Sequence, residues 1–437
     1  MSTETTTVQA GAALRGEPAA PGALAADLRD ARARTQAYVA DLSDARLMPP
    51  LLECINPLLW ELGHVAYFAE FWTLRHLTGR APLLADADQL YDSAKIAHDE
   101  RWHLPLPSRQ QTAAFMERQL AGTLALLDVE PARSDGGTYF HRLALFHEDM
   151  HGEALLYTRQ TLAYERPALT YAPKPGGGAL PGDVAIPGGS YTIGTPQDER
   201  HFVFDNEKWA HEVELAPFAI ARAPVTCAEF RGFVEDRGYL GRRFWSDEGW
   251  AWREAAQAEH PLQWQRTQSN GWERRHFARF VPLADNEPIA GVNAFEAEAY
   301  CAWAGRRLPS EAEWEVAATG GERRRYPWGD ELGTWPANLD ARFGDVVEVG
   351  AFGKGESPFG VRGMLGNVWE WTATPFEPYP GFAPDPYAEY SAPWFGTHRV
   401  LRGGAWTTRA RLISTRWRNY YRPHRCDIVT GFRTCSR

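Results

Sequence analysis

The sequence of 437 residues is poor in cysteine, and its five cysteines follow no recognisable spacing. Cys54, Cys227, Cys301, Cys426 and Cys435 are odd in number, scattered, and include no Cys-x-x-Cys pair. Disulfide frameworks and structural zinc sites use paired or closely spaced cysteines. Both kinds of site are therefore disfavoured, and we expect reduced thiols in a cytoplasmic protein.

The sequence also lacks long apolar runs and an excess of positive charge. No run approaches the roughly 20 residues that span a bilayer, and the start, MSTETTTVQAGAALRGEPAA, has neither the charged nor the apolar region of a secretory signal. A net charge of -10 offers no basic face to nucleic acid. We expect a protein that binds small molecules, and neither membrane nor nucleic acid.

Aromatic residues are abundant, and local composition divides the chain. The 18 Trp, 16 Tyr and 21 Phe are typical of a loop-rich fold or of pockets lined with rings. Residues 1–22 are rich in Ala, Gly and Thr and predict a disordered tail. Residues 23–168 predict helices, 169–182 a Pro/Gly-rich linker, and 183–437 a second domain.

Four apolar segments in residues 23–168 predict an up-down helical bundle. One begins at Asn56, which we expect to cap the helix with Pro57 in its first turn, and ends near Gly79. Another begins at Ser108. The last, TYFHRLALFHEDMHGEALLYTRQTLA, is strongly apolar on one side. The second domain reads as short strands with many turns and two short helices, CAEFRGFVEDRG and NAFEAEAYCAWAG.

The segment FHEDMHGEA places two histidines four residues apart on the last helix of the predicted bundle. Positions four apart differ by about 40° around a helix, so His147 and His151 point the same way and suit one metal ion. Glu153 lies about 200° from His151, which indicates a packing or supporting carboxylate rather than a ligand. By itself the spacing is a weak signal, since two such histidines are often structural.

A third histidine, His64, lies in the apolar segment LLWELGHVAYFAEFW. A lone buried histidine is usually a hydrogen-bonded core residue, but metal sites in bundles are assembled from facing helices. Three neutral imidazoles suit Fe(II) with O₂, or zinc with one water, and spacing does not choose between them. Among the rivals, His141 faces elsewhere on the helix, and His98 and His103 lie in a predicted loop.

These motifs together resemble a known family. The lone histidine of GHVAYFAEFW followed by FHEDMHGE resembles the iron-binding half of the ergothioneine-pathway sulfoxide synthases. IPGGSYTIGT, GRRLPSEAEWEVAA, GMLGNVWEWT and VLRGGAWTT resemble the formylglycine-generating-enzyme domain, a variant of the C-type lectin fold. The resemblance covers roughly residues 25–437. It implies an α+β chain in which a DinB-like four-helix bundle precedes that domain.

The resemblance implies an enzyme that uses Fe(II) and O₂ to join a chalcogen to C2 of the imidazole of hercynine. It implies His64, His147 and His151 as metal ligands. In the family, an Asn in an RNW-like segment contacts hercynine, and WRNYYRPHR places Asn419 there. A Tyr after VWEWT donates a proton, and Tyr379 in TPFEPYPGF is the candidate; a simple turn residue is the competing interpretation.

Departures from the family pattern bear on the chalcogen donor. Relatives that use γ-glutamylcysteine or cysteine carry Gln where this chain has Met150. Users of γ-glutamylcysteine carry an acidic residue after the RNW triplet, where Tyr421 follows Tyr420 here. These changes resemble selenoneine synthases, which take selenium from a selenosugar without an α-amine or carboxylate to pair.

The loop LYDSAKIAHDERW stands where cysteine users carry N-x-Y-Y. We expect its polar side chains to bind the donor: Asp92, Lys95 and His98.

Three functional hypotheses remain open at this point. The first is the O₂-dependent enzyme with a selenosugar, or alternatively a thiol, as donor. The second is a zinc-dependent thiol transferase, because similar bundles hold zinc on three histidines. The third is a binding module with a vestigial bundle, which the buried His64 disfavours because a buried imidazole needs a partner.

Overall fold

The computed structural model describes residues 21–128, 138–333 and 336–437. The predicted tail, 1–22, lies outside the described residues except for its last two, which open the first helix. The chain forms two compact units: the first runs to Gly152 and includes Thr195–Val203, and the second comprises Glu153–Gly194 and Phe204–Arg437. The predicted domain limits, with a linker at 169–182, stay a prediction.

The first unit is helical. Its helices are α1 (Pro21–Ala37), α2 (Asp44–Leu47), α3 (Leu58–Ala69), α4 (His76–Thr78), α5 (Ala87–Tyr91), α6 (Arg109–Leu127) and α7 (Tyr139–Thr161). The division between the units falls within α7, after Gly152. None of the helices in the described ranges is both long and apolar enough to cross a membrane.

Local sequence explains where these helices begin and end, with one correction. Ser108 caps α6 in a reciprocal capping box with Gln111, as a Ser-x-x-Gln sequence favours. Gly79 closes α4 in the left-handed region, at φ 68°. The prediction that Asn56 caps α3 is wrong: Pro57 takes the cap position, and the Asn56 side chain donates to Glu61 instead.

Between α3 and α4 the chain makes a π-helical segment, Glu70–Arg75, which the sequence did not predict. Such a segment accommodates one extra residue per turn and lies within otherwise α-helical stretches. It is flanked by the apolar core of the first unit, in which Trp72 stacks on Phe140 at a centroid distance of 5.3 Å.

The second unit is a mixture of short strands and helices. Its strands are β1 (Asp183–Ile186), β2 (Gly189–Ile193), β3 (His211–Leu215), β4 (Phe218–Ala221), β5 (Trp264–Arg266), β6 (Trp272–His276), β7 (Arg279–Pro282), β8 (Arg306–Arg307), β9 (Trp369–Pro375), β10 (Arg399–Arg402), β11 (Asn419–Tyr421), β12 (Thr430–Gly431) and β13 (Cys435–Ser436). Its helices are α8 (Cys227–Glu235), α9 (Asp247–Ala256), α10 (Ala294–Trp303) and α11 (Glu311–Thr319).

Two four-stranded sheets organise this unit. One has the order β1-β4-β13-β8, so the last strand inserts between two earlier ones, and the other has the order β11-β10-β9-β12. Strand β10 pairs antiparallel with both β9 and β11, which places Asn419 opposite Leu401. The predicted helices at 227 and 294 are confirmed, but the expectation of only two was wrong, because α9 and α11 are also helical.

Candidate functional site

Helices α3 and α7 bring three imidazoles together in the first unit. His64 comes from α3, and His147 and His151 lie one turn apart on α7. One ring nitrogen from each lies within 4.8 Å of the other two, and the ring centroids are 4.4–5.1 Å apart. His64 and His147 are buried, whereas His151 is partly exposed.

Aromatic side chains fix the orientation of two of these rings. Trp60 stacks on His64 with centroids 4.6 Å apart and an interplanar angle of 11°. Phe68 stacks on His147 with centroids 3.5 Å apart and an angle of 4°. Both aromatic residues lie on α3, one turn to either side of His64, so a single helix presents one imidazole and positions a second.

Burial keeps two of the imidazoles, those of His64 and His147, neutral. The pKa of His64 is lowered to about 3, mainly by burial and also by the proximity of His151, against the attraction of Glu61. Burial also lowers the pKa of His147 well below its ordinary value, and the neighbouring His151 and His64 add to this effect. A neutral imidazole offers the lone pair that a metal requires.

Hydrogen bonds engage the Nδ1 atom of two of the rings. His64 Nδ1 lies 2.8 Å from the carbonyl oxygen of Tyr91, and His151 Nδ1 contacts the Glu61 carboxylate. Since a carbonyl or carboxylate oxygen only accepts, Nδ1 carries a proton in both rings, and in a neutral ring the lone pair is then on Nε2. The donor set therefore fits a divalent metal that accepts imidazole, and both iron and zinc do.

The other predicted site residues of the first unit lie in separate local contacts. Lys95 Nζ donates to Asp92 Oδ2 at 2.7 Å, so these two side chains pair with each other. His98 Nε2 lies 2.6 Å from the carbonyl oxygen of Ile55. Met150 is half-buried on α7, directly before His151. Their assignment to the donor stays a prediction.

Tyr379 lies in the interior of the second unit. Its hydroxyl donates to Glu311 Oε1 at 2.5 Å, and the Arg418 guanidinium lies 3.9 Å from its ring centroid. Glu311 also accepts from Arg418 and, at 3.2 Å, from Arg402. Burial and the Glu311 carboxylate raise the pKa of Tyr379 well above its ordinary value. Its proton-donor role stays a prediction.

The three predicted substrate contacts on β11 face different neighbours within the second unit. The Asn419 side chain accepts from the Tyr420 backbone N–H at 2.9 Å. The Tyr420 ring stacks on Phe376 with centroids 4.0 Å apart, and its hydroxyl donates to the Tyr390 carbonyl. The Tyr421 ring has the Arg425 guanidinium 5.2 Å from its centroid.

Glu153 belongs to the second unit, and both of its carboxylate oxygens accept hydrogen bonds there. One oxygen accepts from Trp369 Nε1 at 2.7 Å and the other from Thr408 Oγ1 at 2.7 Å. Burial raises the pKa of Glu153, and hydrogen bonds from Thr408, Trp369 and Thr407 partly offset this rise. This matches the packing role that its position on the helix indicated.

Sequence reasoning missed two partners of the imidazoles: the Glu61 side chain and the Tyr91 carbonyl. The carbonyl has no sequence signature. Glu61 does, because it lies three residues before His64, and the Glu-x-x-His spacing places both side chains on one face of a helix, as in metal-binding bundles.

Comparison with known proteins decides the family. Residues 170–437 match the model of the sulfatase-modifying factor enzyme 1-like domain. The hercynine oxygenase of Mycolicibacterium thermoresistibile is 39% identical over 425 residues, which cover 94% of each chain. That of Mycobacterium tuberculosis is 38% identical over 94% of this chain and 98% of its own. The chain belongs to the hercynine oxygenase family.

The chain has relatives outside the hercynine oxygenase family as well. The formylglycine-generating enzyme of Streptomyces coelicolor is 36% identical over 56% of this chain and 86% of its own. The family and the fold class predicted from the motifs are thus confirmed: a helical region precedes a formylglycine-generating-enzyme-like domain. The chain is an oxygenase-type enzyme by its family.

Proposed function

We propose that this protein is a non-heme Fe(II) enzyme that uses O₂ to join a chalcogen to C2 of the hercynine imidazole. The observation that carries the proposal is the group of three imidazoles, His64, His147 and His151, in a chain of the hercynine oxygenase family. When bound to three imidazoles, Fe(II) retains open positions for O₂ and a substrate.

The overall reaction balances with O₂ as the oxidant. The C2–H bond of hercynine and the hydrogen on the chalcogen donor are lost, and a carbon–chalcogen bond forms. If one oxygen atom remains on the chalcogen, the other leaves as water with the two hydrogens, and four electrons pass to O₂.

We assign roles to the remaining residues on the family pattern. Asn419, followed by Tyr420, orients hercynine, and Tyr379 supplies a proton. Asp92, Lys95 and His98 contact the chalcogen donor. The aromatic rings of the second unit suit a quaternary ammonium group, which is attracted to π faces.

For the donor, we propose a selenosugar rather than a thiol. Met150 and Tyr421 stand where thiol-using relatives carry amide and acidic side chains. The carboxylates near Tyr421 are already bonded: Asp427 accepts from Arg425 at 2.6 Å through both oxygens, and Glu153 accepts from Trp369 and Thr408. A donor with an α-amine would have to compete with these hydrogen bonds for either carboxylate.

The donor is tested by aerobic incubation of Fe(II)-loaded enzyme with hercynine and, separately, a 1-seleno-N-acetylglucosamine, cysteine and γ-glutamylcysteine. We expect a product with the selenium isotope pattern in the mass spectrum. Products from the thiols alone would contradict the selenosugar and leave a hercynine sulfoxide synthase. As a matched variant, M150Q combined with Y421D restores the thiol-type pattern and should raise thiol turnover.

The metal site is tested by anaerobic purification and elemental analysis. Wild type should hold one iron, and H147A should lose it together with turnover; H141A, on the same helix, is the matched control and should keep it. Iron at full stoichiometry in H147A would refute the ligand assignment. Zinc in the wild type without O₂ consumption would instead support a thiol transferase.

Two further assignments belong to this proposal. The helical region is DinB-like, which four-helix topology and a three-histidine site would support. The protein acts in the cytoplasm, in keeping with cysteines that form no disulfide within the described ranges. Cell fractionation with an antibody against the protein tests the location, and recovery in a membrane or secreted fraction would contradict it.

A further inference from the structure

Glu61 makes a contact that the proposed function does not use. It lies on α3, one turn before His64, with only 4% of its surface exposed. Its Oε2 atom contacts His151 Nδ1 on α7, 90 residues away in sequence. A buried carboxylate of this kind on a candidate metal ligand is the arrangement by which proteins orient metal-binding imidazoles.

The second oxygen of Glu61 is held by an ordered chain of donors. Asn56 Nδ2 donates to Glu61 Oε1 at 2.6 Å, and Arg101 Nη1 donates to Asn56 Oδ1 at 2.7 Å. Because guanidinium only donates and carboxylate only accepts, the Asn56 amide has one workable orientation. The Arg101 guanidinium in turn lies 4.3 Å from the centroid of the Trp60 ring.

This series of hydrogen bonds determines which ring nitrogen of a neutral His151 carries the proton. The Glu61 carboxylate accepts at both oxygens, so the proton of a neutral His151 ring must be on Nδ1, and Nε2 presents its lone pair. His64 is fixed in the same way by the Tyr91 carbonyl, which a substitution of Tyr91 itself does not remove. Glu61 is therefore the side chain through which this control can be tested.

We propose that Glu61 is a positioning residue that holds His151 as the Nδ1–H tautomer, aims Nε2 at the metal and thereby sets metal affinity. The effect of Glu61 on metal affinity rests on the proposed function, whereas its effect on the His151 tautomer does not. Loss of such a supporting carboxylate typically weakens metal binding by about 10- to 100-fold.

The decisive variant is E61Q. Since Asn56 offers an N–H to one side of the new amide, the glutamine oxygen must face Asn56 and its NH₂ must face His151. There the NH₂ donates, so His151 Nδ1 becomes an acceptor and the proton moves to Nε2, the atom needed by the metal. E61D keeps the carboxylate and should keep the Nδ1–H tautomer.

The matched control is E70Q. Glu70 is also buried, follows α3 directly, and accepts from the Leu83 backbone N–H at 2.5 Å. An amide oxygen can replace that acceptor, so E70Q should match wild type. Thermal unfolding of each variant separates a general loss of fold from a local effect.

The experiment has two readouts on the full chain. Long-range ¹H–¹⁵N spectra of metal-free protein at pH 8 report the His151 tautomer. Titration with Fe(II) under argon, and with Zn(II), gives the dissociation constant. We expect the Nδ1–H tautomer in wild type and E61D, the Nε2–H tautomer in E61Q, and roughly 10- to 100-fold weaker metal binding by E61Q.

An Nε2–H tautomer in wild type, or an unchanged tautomer and affinity in E61Q, would overturn the proposal, and the wild-type spectrum does so even if E61Q fails to fold. Absence of metal binding by wild type would refute the proposed function instead, and that is read from the wild-type titration alone.

Discussion

Gly63 lies so close to Tyr91 that a Cβ built on the glycine would stand 2.2 Å from two atoms of the tyrosine ring. Tyr91 is the residue whose carbonyl accepts from His64 Nδ1, and Gly63 precedes His64 on α3. The missing side chain of Gly63 therefore permits the contact that fixes the His64 ring.

G63A should displace Tyr91 and weaken both folding and metal binding. Overpacking of this kind costs about 1–3 kcal/mol or more in free energy of unfolding, measured by urea denaturation, and metal titration should show lower affinity. The control is G152A, next to His151, where a Cβ would meet only the Tyr38 ring at 3.4 Å. Equal metal affinity in G63A and wild type would show that the Tyr91 carbonyl does not need its present position.

The buried ion pair of Arg32 and Glu148 predicts a large effect of removing one partner. Arg32 donates to both Glu148 oxygens, at 2.8 and 3.1 Å, one residue from His147. R32A should lower the free energy of unfolding by about 3–5 kcal/mol because an unpaired carboxylate stays buried. The double variant R32M/E148M should lose much less.

A matched control lies on the same helix, where Arg34 pairs with Asp30 at 3.5 Å near the surface. D30A should change the free energy of unfolding by less than about 1 kcal/mol. If R32A were as mild as D30A, solvent would have to reach the Glu148 carboxylate in the folded protein.

Y379F separates two roles of one hydroxyl. Removing the hydrogen bond to Glu311 should cost about 1.5–3 kcal/mol of stability, since the acceptor is a charged group. If Tyr379 also donates a proton in turnover, Y379F should change the ratio of coupled product to oxidised donor, which mass spectrometry measures.

Y239F is the reference for this comparison, because the buried Tyr239 hydroxyl donates to Glu296 Oε1 at the same distance, 2.5 Å. It should lower stability and leave product ratios unchanged. The same ratios in Y379F and wild type would leave Tyr379 with a structural role only.

His276 should make the second unit less stable in acid. Its pKa is lowered to about 4, mainly by burial and also by Arg274, against the attraction of Asp345. The unfolded chain binds this proton near pH 6.5 and the folded chain only near pH 4, so stability is lost as the pH falls through that window. H276Q should remove up to about 3 kcal/mol of the loss at pH 4.

Urea unfolding of wild type and H276Q at pH 7.5 and pH 4 provides the measurement. At pH 7.5 the pH-dependent part of the free energy of unfolding should be nearly the same in the two proteins. It should differ increasingly between them as the pH falls. A parallel pH dependence in both proteins would mean that His276 is already accessible to protons when folded.

The sequence predicted the family and the helical scaffold because both depend on local patterns. The four-residue spacing of His147 and His151 and the Ser108 cap are read within one turn of helix. The helix α11 had an equally local signal, the capping box of Ser310 and Glu313, and it could have been predicted.

The contacts that support the imidazoles could not be read in this way. Glu61 reaches His151 across 90 residues, and Tyr91 meets His64 through a backbone atom that every residue has. The Asn56 side chain could cap α3 or donate to Glu61. It donates to Glu61, because the buried carboxylate lies within reach in the folded protein. Such choices depend on what the folded chain places nearby.

The protonation of the buried cysteines matters in an oxygenase that would handle thiols or selenols. Burial raises the pKa of Cys227 and of Cys435 to about 12, and that of Cys301 still further above its ordinary value. At neutral pH these sulfurs are almost entirely protonated, and a protonated sulfur is a poor nucleophile. These three buried thiols of the second unit are therefore expected to react slowly with disulfides and oxidants.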